Sequence, residues 1–273
     1  MKIPNLKEYD LIIINSSGGK DSIACIWEMN RIIEDQKFNK KNVHISHQDL
    51  KNAEWKGTTD LVIAQAKFFG YQNHVSRYRD KNGNEKTFLD YAEQRGMFPS
   101  STARWCTSEF KRGAGARVVT ALSKPITKAK GKSKVLYCFG FRHDESPARK
   151  IEKKIHLAIQ PRLTTKKRTV VECYPIQDWN AKKVWQVINK NKLPSHNAYN
   201  LGMPRLSCVF CIYAPFDALV IAGQNNPKLL DEYIRVERKI KHTFQDKKPI
   251  ENVRDAIDDG YEPGVVQSWV MPT

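Results

Sequence analysis

A short apolar run followed at once by a glycine turn is the feature that most constrains the fold of this chain. The run Leu11-Ile12-Ile13-Ile14 predicts a buried β-strand, and the residues from Asp21 to Ile33 predict a helix. Between them lies the hexapeptide Ser17-Gly18-Gly19-Lys20-Asp21-Ser22. Glycine lets backbone N–H groups turn inward, and a helix N-terminus adds its positive dipole end. The sequence therefore predicts an anion-binding loop.

The polar side chains of this loop suit a phosphate. Lys20 would neutralise phosphate charge, Ser17 and Ser22 would donate hydrogen bonds, and Asp21 would hold Mg²⁺ or cap the helix. The spacing is not the Walker pattern, in which four residues separate the two glycines and the second glycine stands directly before Lys-Ser/Thr. We predict that the whole hexapeptide binds a nucleotide, with Lys20 and Asp21 also catalytic.

Strand and helix patterns alternate along most of the chain. Further strands are predicted at 43–47, 73–78, 135–141 and 169–174, and helices at 58–69, 88–95, 109–122, 180–189, 215–224 and 228–242. In the helix at 58–69 we expect Leu61, Ile63, Ala64 and Phe68 to face inward, and residues 124–134 indicate a basic loop. The alternation predicts an α/β fold with a doubly wound, mostly parallel sheet. We expect a nucleotide-binding domain at 1–140, and a part at 141–273 that completes the sheet and adds a smaller helical lobe.

Other candidate site residues follow predicted strands or turns. Asp49 and Arg142 each come after a strand, at the edge where ligands bind in such sheets. Arg142 would stabilise charge on a transferring phosphoryl or sulfuryl group. Lys111 and Arg112 would contact phosphate or sulfate. The alternatives are a turn residue at Asp49, a solvated helix start at 111–112, and an ion pair between Glu145 and Arg149.

Three of the six cysteines are candidate metal ligands. Cys208 and Cys211 form a CxxC pair, and we expect Cys106 to face the same cleft. Three thiolates would bind an iron–sulfur cluster with one iron open, or zinc with a fourth ligand such as His196. We favour the cluster. The remaining cysteines fall inside predicted elements and indicate core positions: Cys25, Cys138 and Cys173.

The charge of the chain favours a polyanionic partner. The formal net charge is +17, and much of the excess lies between residues 124 and 168. This stretch would contact nucleic acid, or it is a solvated surface. No apolar run reaches the roughly 18 residues of a membrane span, and the N-terminus lacks a secretory pattern. We expect a cytoplasmic protein without a membrane partner; a protein partner and the oligomeric state stay open.

The loop and the segments after it resemble the PP-loop adenine-nucleotide alpha-hydrolase superfamily. Within it, the chain is most similar to the PAPS reductase-like family related to phosphorothioate DNA-modification ATP pyrophosphatases. The similarity rests on segments in matching order at 47–50, 54–55, 104–108, 111–112, 140–142, 145–149, 174–176, 178–179, 184–185 and 202–205, ahead of Cys208 and Cys211. It implies an adenine nucleotide, ATP or PAPS, with reaction at the alpha-phosphate. Cluster-bearing members carry two cysteine pairs, but Trp105 stands where one ligand is expected.

Three functions are compatible with these features. We favour an enzyme that adenylylates a substrate with pyrophosphate release, in sulfur transfer to nucleic acid. The second is a reductase that forms sulfite from PAPS or APS. Such reductases use a cysteine in a C-terminal motif, and no cysteine follows Cys211. The third is a non-catalytic module that binds nucleotide or DNA for a partner.

Overall fold

The computed structural model describes residues 4–145 and 157–269, and within them a six-stranded sheet forms the centre of the protein. The strands lie in the order β3-β2-β1-β4-β6-β5. Five are parallel, and β5 pairs with β6 antiparallel. Their bounds are β1 Leu11–Asn15, β2 Val43–Gln48, β3 Gln72–Ser76, β4 Ser133–Cys138, β5 Leu157–Ile159 and β6 Arg168–Cys173. The predicted α/β fold with a mostly parallel sheet is confirmed.

Eight α-helices occur in the described ranges. They are α1 Lys20–Asp35, α2 Thr58–Phe69, α3 Phe88–Arg95, α4 Ala114–Lys130, α5 Ala181–Lys190, α6 Phe216–Asn225, α7 Pro227–Ile240 and α8 Glu251–Asp258. A π-helical stretch, Cys106–Gly113, leads into α4. Residues 146–149 of the segment that resembles the family, which include Arg149, lie outside the described part of the chain, and so do the basic residues at 150–156.

Helices cover both faces of the sheet, which explains why β1 is apolar throughout. Side chains of a strand alternate between faces. Ile12 and Ile14 belong to a core shared with α1, α2 and α5, whereas Leu11 and Ile13 pack with Val119 of α4. A strand buried on both faces has no polar positions to alternate with apolar ones.

A second core lies beside the sheet and brings the C-terminal helices to the site. The buried ring of Tyr233 stacks with Phe98 at 5.9 Å between centroids and meets Phe210 edge-on at 4.9 Å. The same core includes Leu50 and Trp55, which follow β2, so the helices α3, α6, α7 and α8 pack at the carboxyl end of that strand. The division of the chain into domains near residue 140 stays a prediction.

Two local predictions are wrong. Residues 124–130 are not loop, because α4 continues through Pro125 to Lys130 while Leu122 and Ile126 pack against the sheet. In α2 the buried face is offset from the predicted one: Ile63 and Phe68 are 39% and 57% exposed, whereas Val62 and Ala66 are fully buried. The helix α8 was not predicted. No helix of the described ranges is long and apolar enough to cross a membrane.

Candidate functional site

The glycine loop connects β1 to α1 at the carboxyl edge of the sheet. Gly18 has a φ of +75°, a conformation that glycine adopts without strain. The backbone N–H of Ser17 donates to Ser22 Oγ at 3.1 Å, and that of Gly18 donates to Ser16 Oγ at 3.2 Å. Gly19 is the N-cap of α1 and gives it no side-chain cap. Asp21 therefore does not cap the helix, and the loop is held in shape by its own serines.

Asp21 joins the two cations that the sequence singled out. Its Oδ1 accepts from Arg142 Nε at 2.7 Å, and its Oδ2 lies 3.5 Å from Lys20 Nζ. Arg142 is 4% exposed and also pairs with Asp144. The structure thus brings Arg142 from the end of β4 to the first turn of α1, as its predicted position after a strand required.

Gly140 permits this close approach, a requirement that sequence reasoning missed. A Cβ atom at position 140 would lie 2.5 Å from the carbonyl oxygen of Asp21 and 3.2 Å from the backbone nitrogen of Ser22. Only glycine fits between the exit of β4 and the start of α1 without displacing one of them. The sequence signal for this close approach was the position of Gly140 directly before Phe141 and Arg142.

A segment from the C-terminal half covers the loop, and no role was predicted for it. We call Tyr199–Leu206 the strap. The Tyr199 hydroxyl accepts from the backbone N–H of Lys20 at 2.7 Å, and the Pro204 carbonyl accepts from Lys20 Nζ at 3.0 Å. The Leu206 side chain lies 3.5 Å from a Cβ built on Gly19. In this conformation the strap uses two donors that a phosphate would need.

The strap leads directly to the cysteine pair. Cys208 is half-buried and Cys211 buried, and Cys106 is half-buried at the start of the π-helical stretch. Burial raises the pKa of Cys208 to about 12; the Lys111 ammonium opposes this, and the other two cysteines add to it. The charge of Cys208 in turn is the main cause of a raised pKa at Lys111. The three thiols and Lys111 therefore interact as one cluster.

Lys111, Arg112 and Asp49 are the other residues for which nucleotide contact was predicted. Lys111 keeps an exposed surface, yet its ammonium interacts with the thiols. Arg112 is exposed. Asp49 is buried, with Oδ2 accepting from Arg77 Nε at 2.8 Å and Oδ1 from the backbone N–H of Lys51 at 2.6 Å. Contact of these three residues with nucleotide stays a prediction.

The donor set of the thiols bears on which metal they suit. Among the described residues, the group of three whose ligand atoms all lie within 4.8 Å of one another is His47, Asp49 and Glu54, and the three sulfurs do not form such a group. Tetrahedral zinc would bring thiolate sulfurs to about 3.8 Å apart. His196, the suggested fourth zinc ligand, uses Nδ1 to accept from the backbone N–H of Ala198 and places Nε2 3.4 Å from Thr58 Oγ1. The choice between an iron–sulfur cluster and zinc stays a prediction.

The core cysteines behave as predicted. Cys25 and Cys138 are fully buried and Cys173 is 2% exposed. Burial raises the pKa of Cys25 and Cys138 well above the usual range, so both are neutral thiols.

The structure is that of an α/β protein with a glycine loop between its first strand and its first helix. The family model of the phosphoadenosine phosphosulfate reductase domain matches residues 11–214, from β1 to just past the cysteine pair. The chain belongs to this family, as the resemblance implied, and the family comprises enzymes that act on adenine nucleotides.

Individual relatives are distant. The uncharacterized protein MJ0973 of Methanocaldococcus jannaschii is 25% identical over 229 residues, which is 82% of this chain and 46% of that protein. The chain thus spans about half the length of this relative.

Two solved structures have a similar fold. One is the PAPS reductase of Candida auris in a phosphate complex, with TM-score 0.48, 16% identity, and 75% of this chain and 84% of that chain covered. The other is the U34-tRNA thiolase NcsA of Methanococcus maripaludis with its 4Fe–4S cluster, with TM-score 0.45, 12% identity, and 93% and 74% covered. These likenesses concern the fold alone, and no residue role is taken from them.

Proposed function

We propose that this chain is a PP-loop enzyme that binds ATP at the loop Ser17–Ser22 and acts at the alpha-phosphate. It adenylylates an acceptor and releases pyrophosphate. The observation that carries this proposal is the joining of Lys20 and Arg142 through Asp21 at the N-terminus of α1. Lys20 and the helix N-terminus would supply positive charge to a leaving pyrophosphate, and Arg142 would hold the Asp21 carboxylate in place for the Mg²⁺ of the nucleotide.

Binding begins with an exchange of partners at Lys20. The backbone N–H and the ammonium of Lys20 leave Tyr199 and Pro204 and turn to the phosphates. Arg142 keeps its bond to Asp21 and is aimed by it. Mg²⁺ would accompany the nucleotide, with Asp21 the nearest carboxylate of the loop.

The thiols would carry sulfur chemistry at the same cleft. Cys106, Cys208 and Cys211 would hold a 4Fe–4S cluster, since soft thiolates are its usual ligands. Such a cluster would supply an iron without a protein ligand, to which a sulfur donor can bind. Lys111 would favour the thiolate forms that the cluster needs, because its positive charge lowers the pKa of Cys208.

A nucleic acid is the proposed acceptor. Lysines of the last turns of α4 and of the loops beside it are exposed: Lys124, Lys128, Lys132, Lys166 and Lys167. Lys130 and Lys134 instead pair with Asp10 and Glu8. These lysines precede β4 and β6, at the edge of the sheet opposite the loop, so they would bind the phosphate backbone of a nucleic acid long enough to reach both edges, and salt would weaken the binding.

The test is pyrophosphate release from ATP by the anaerobically purified protein, with and without RNA or DNA. We expect turnover that nucleic acid stimulates and that the double variant Lys20→Ala/Asp21→Ala abolishes. Lys67→Ala, an exposed lysine on α2, is the matched control and should keep full turnover. Absence of nucleotide turnover under all of these conditions would refute the proposal.

The family name favours one second candidate, reduction of PAPS to sulfite. The same protein is given PAPS and a dithiol reductant, and sulfite is measured. Sulfite release without pyrophosphate release from ATP would replace the first proposal with this one.

A further inference from the structure

Three side chains with metal-ligand atoms converge beside the loop, at the end of β2. They are His47, Asp49 and Glu54, whose ligand atoms all lie within 4.8 Å of one another. His47 is 1% and Asp49 8% exposed, and Glu54 is half-buried. We call this group the His47 triad. It includes neither Asp21 nor a cysteine.

The ring of His47 has the orientation that is usual for a metal-binding histidine. Its Nδ1 lies 2.9 Å from the carbonyl oxygen of Ser16, where only a ring N–H can make the hydrogen bond. Metal-binding histidines usually donate their other ring N–H to a carbonyl or carboxylate, which fixes the tautomer. In the neutral ring Nε2 then carries the lone pair. It points toward Glu54 Oε2 at 3.2 Å and Thr59 Oγ1 at 3.3 Å.

Each carboxylate of the triad has one basic partner in the chain and keeps further lone pairs. Arg77 binds Asp49, and Lys51 donates a backbone N–H to it, so this carboxylate is held in place while keeping further lone pairs. Glu54 Oε2 is buried and lies 3.2 Å from His47 Nε2, so protonated His47 is the cation that balances it when no metal is bound. A divalent cation would displace that proton and bind both side chains.

We propose that the His47 triad binds a divalent first-row transition-metal cation. One imidazole and two carboxylates suit Mn²⁺, Fe²⁺ or Zn²⁺ better than Mg²⁺, which prefers oxygen ligands and water. The bond from His47 to Ser16 places the cation beside the residue that directly precedes the loop. Its charge would add to that of Lys20 in attracting an anionic substrate. This site does not depend on the proposed function, because metal binding by the triad requires neither a nucleotide nor the thiols.

The site also borders the thiols through Glu54. The charge of Glu54 contributes to the pKa values of Lys111, Cys208 and His196. A cation on Glu54 would therefore lie between the phosphate loop and the thiol cluster, and a metal assay must distinguish it from metal bound by sulfur.

The test uses Mn²⁺ alone, without nucleotide, on the full chain. Titration followed by electron paramagnetic resonance should show one tightly bound Mn²⁺. His47→Gln and Glu54→Gln should each weaken the binding at least about tenfold, since each removes a direct ligand. His44→Gln is the matched control: it lies on the same strand, is buried, and contacts His74 at 2.9 Å. Circular dichroism checks that each variant folds.

Two further measurements keep the proposal testable if a variant does not fold. Pulsed electron paramagnetic resonance of the wild-type Mn²⁺ complex should show coupling to one imidazole nitrogen. The variant Cys208→Ser/Cys211→Ser should retain Mn²⁺ binding. Absence of nitrogen coupling, loss of Mn²⁺ with the cysteines, or equal affinity in folded His47→Gln would each show that the triad is an ion pair only.

Discussion

The glycine loop and the thiol cluster are two candidate sites that are built in different ways. The loop Ser17–Ser22 comes from one continuous stretch, and its shape depends on Gly18 and on backbone hydrogen bonds to the hydroxyls of Ser16 and Ser22. The cluster collects Cys106 and Lys111 from the π-helical stretch before α4, and Cys208 and Cys211 from the segment after the strap. One site is local in sequence and the other depends on packing.

This difference makes the strap the segment that connects the two sites. The strap touches the loop through Tyr199 and Pro204 and ends two residues before Cys208. Any ligand that takes the Lys20 donors must release the strap, and the strap is covalently continuous with the cysteine pair. We therefore expect a ligand at the loop to change the surroundings of the thiols. The following variants test how far the two sites are separate.

The largest effect is expected from Gly140→Ala. The new Cβ would meet the Asp21 carbonyl at 2.5 Å, and overpacking against backbone costs about 3 kcal/mol. Thermal unfolding should show this loss, together with loss of nucleotide binding. Gly264→Ala, where the nearest atom lies at 3.8 Å, is the control and should be neutral. A neutral Gly140→Ala would mean that β4 and α1 are farther apart than described.

Lys20→Met and Lys111→Met separate the two cations. Removing a charged donor at the reacting phosphate typically lowers turnover about 100-fold, so we expect that loss in pyrophosphate release for Lys20→Met. Lys111→Met should change turnover less than about threefold, but it should slow alkylation of Cys208, because Lys111 lowers the pKa of that thiol. Equal losses of turnover would instead assign Lys111 to the phosphate, as first predicted.

Tyr199→Phe tests the strap as a competitor of the nucleotide. It removes the acceptor of the Lys20 N–H. A net hydrogen bond is worth about 1 kcal/mol, so calorimetry should show nucleotide affinity rising about fivefold. Tyr261→Phe is the control, because the Tyr261 hydroxyl donates to Asp217, outside the loop and the strap. A weaker affinity in Tyr199→Phe would mean that the hydroxyl supports the nucleotide rather than opposing it.

The same contrast explains what the sequence alone predicted. The loop, the parallel sheet and the position of Arg142 follow from local patterns, because the end of a parallel strand and the start of a helix fix where a residue lies. Gly140, Tyr199 and Pro204 were missed because each acts on a partner far away in the chain. Nothing in the residues around Tyr199 indicates that its hydroxyl reaches the N-terminus of α1.

The errors in the helices have a similar origin. Pro125 and the lysines around it favoured a loop, but Leu122 and Ile126 pack against the sheet and continue α4. Tertiary packing overrides a local preference of this size. In α2 the apolar residues occur on more than one side, so the pattern could not tell whether Val62 or Ile63 faces the core.

The smallest effect concerns the pH dependence of the thiol cluster in metal-free protein. Burial raises the pKa of Cys208 from 9.0 to about 12, so the folded state keeps a proton that the unfolded state loses. The resulting stabilisation is fully present below pH 9 and is lost as the pH rises through about 12. Between pH 8 and 9.5 the loss is about 0.8 kcal/mol or less.

Urea unfolding of the metal-free protein measures this loss at the two pH values. Cys208→Ser should lose less stability over that range than the wild type, and Ser207→Ala, its neighbour without a titrating group, should follow the wild type. Lys111→Met should leave the contribution of Cys208 unchanged, because a thiol with a folded-state pKa of about 12 is already protonated at pH 9.5 and a further rise of that pKa adds nothing. If Cys208→Ser and the wild type respond equally, the thiol ionises freely, and the cluster is more open to solvent than the loop.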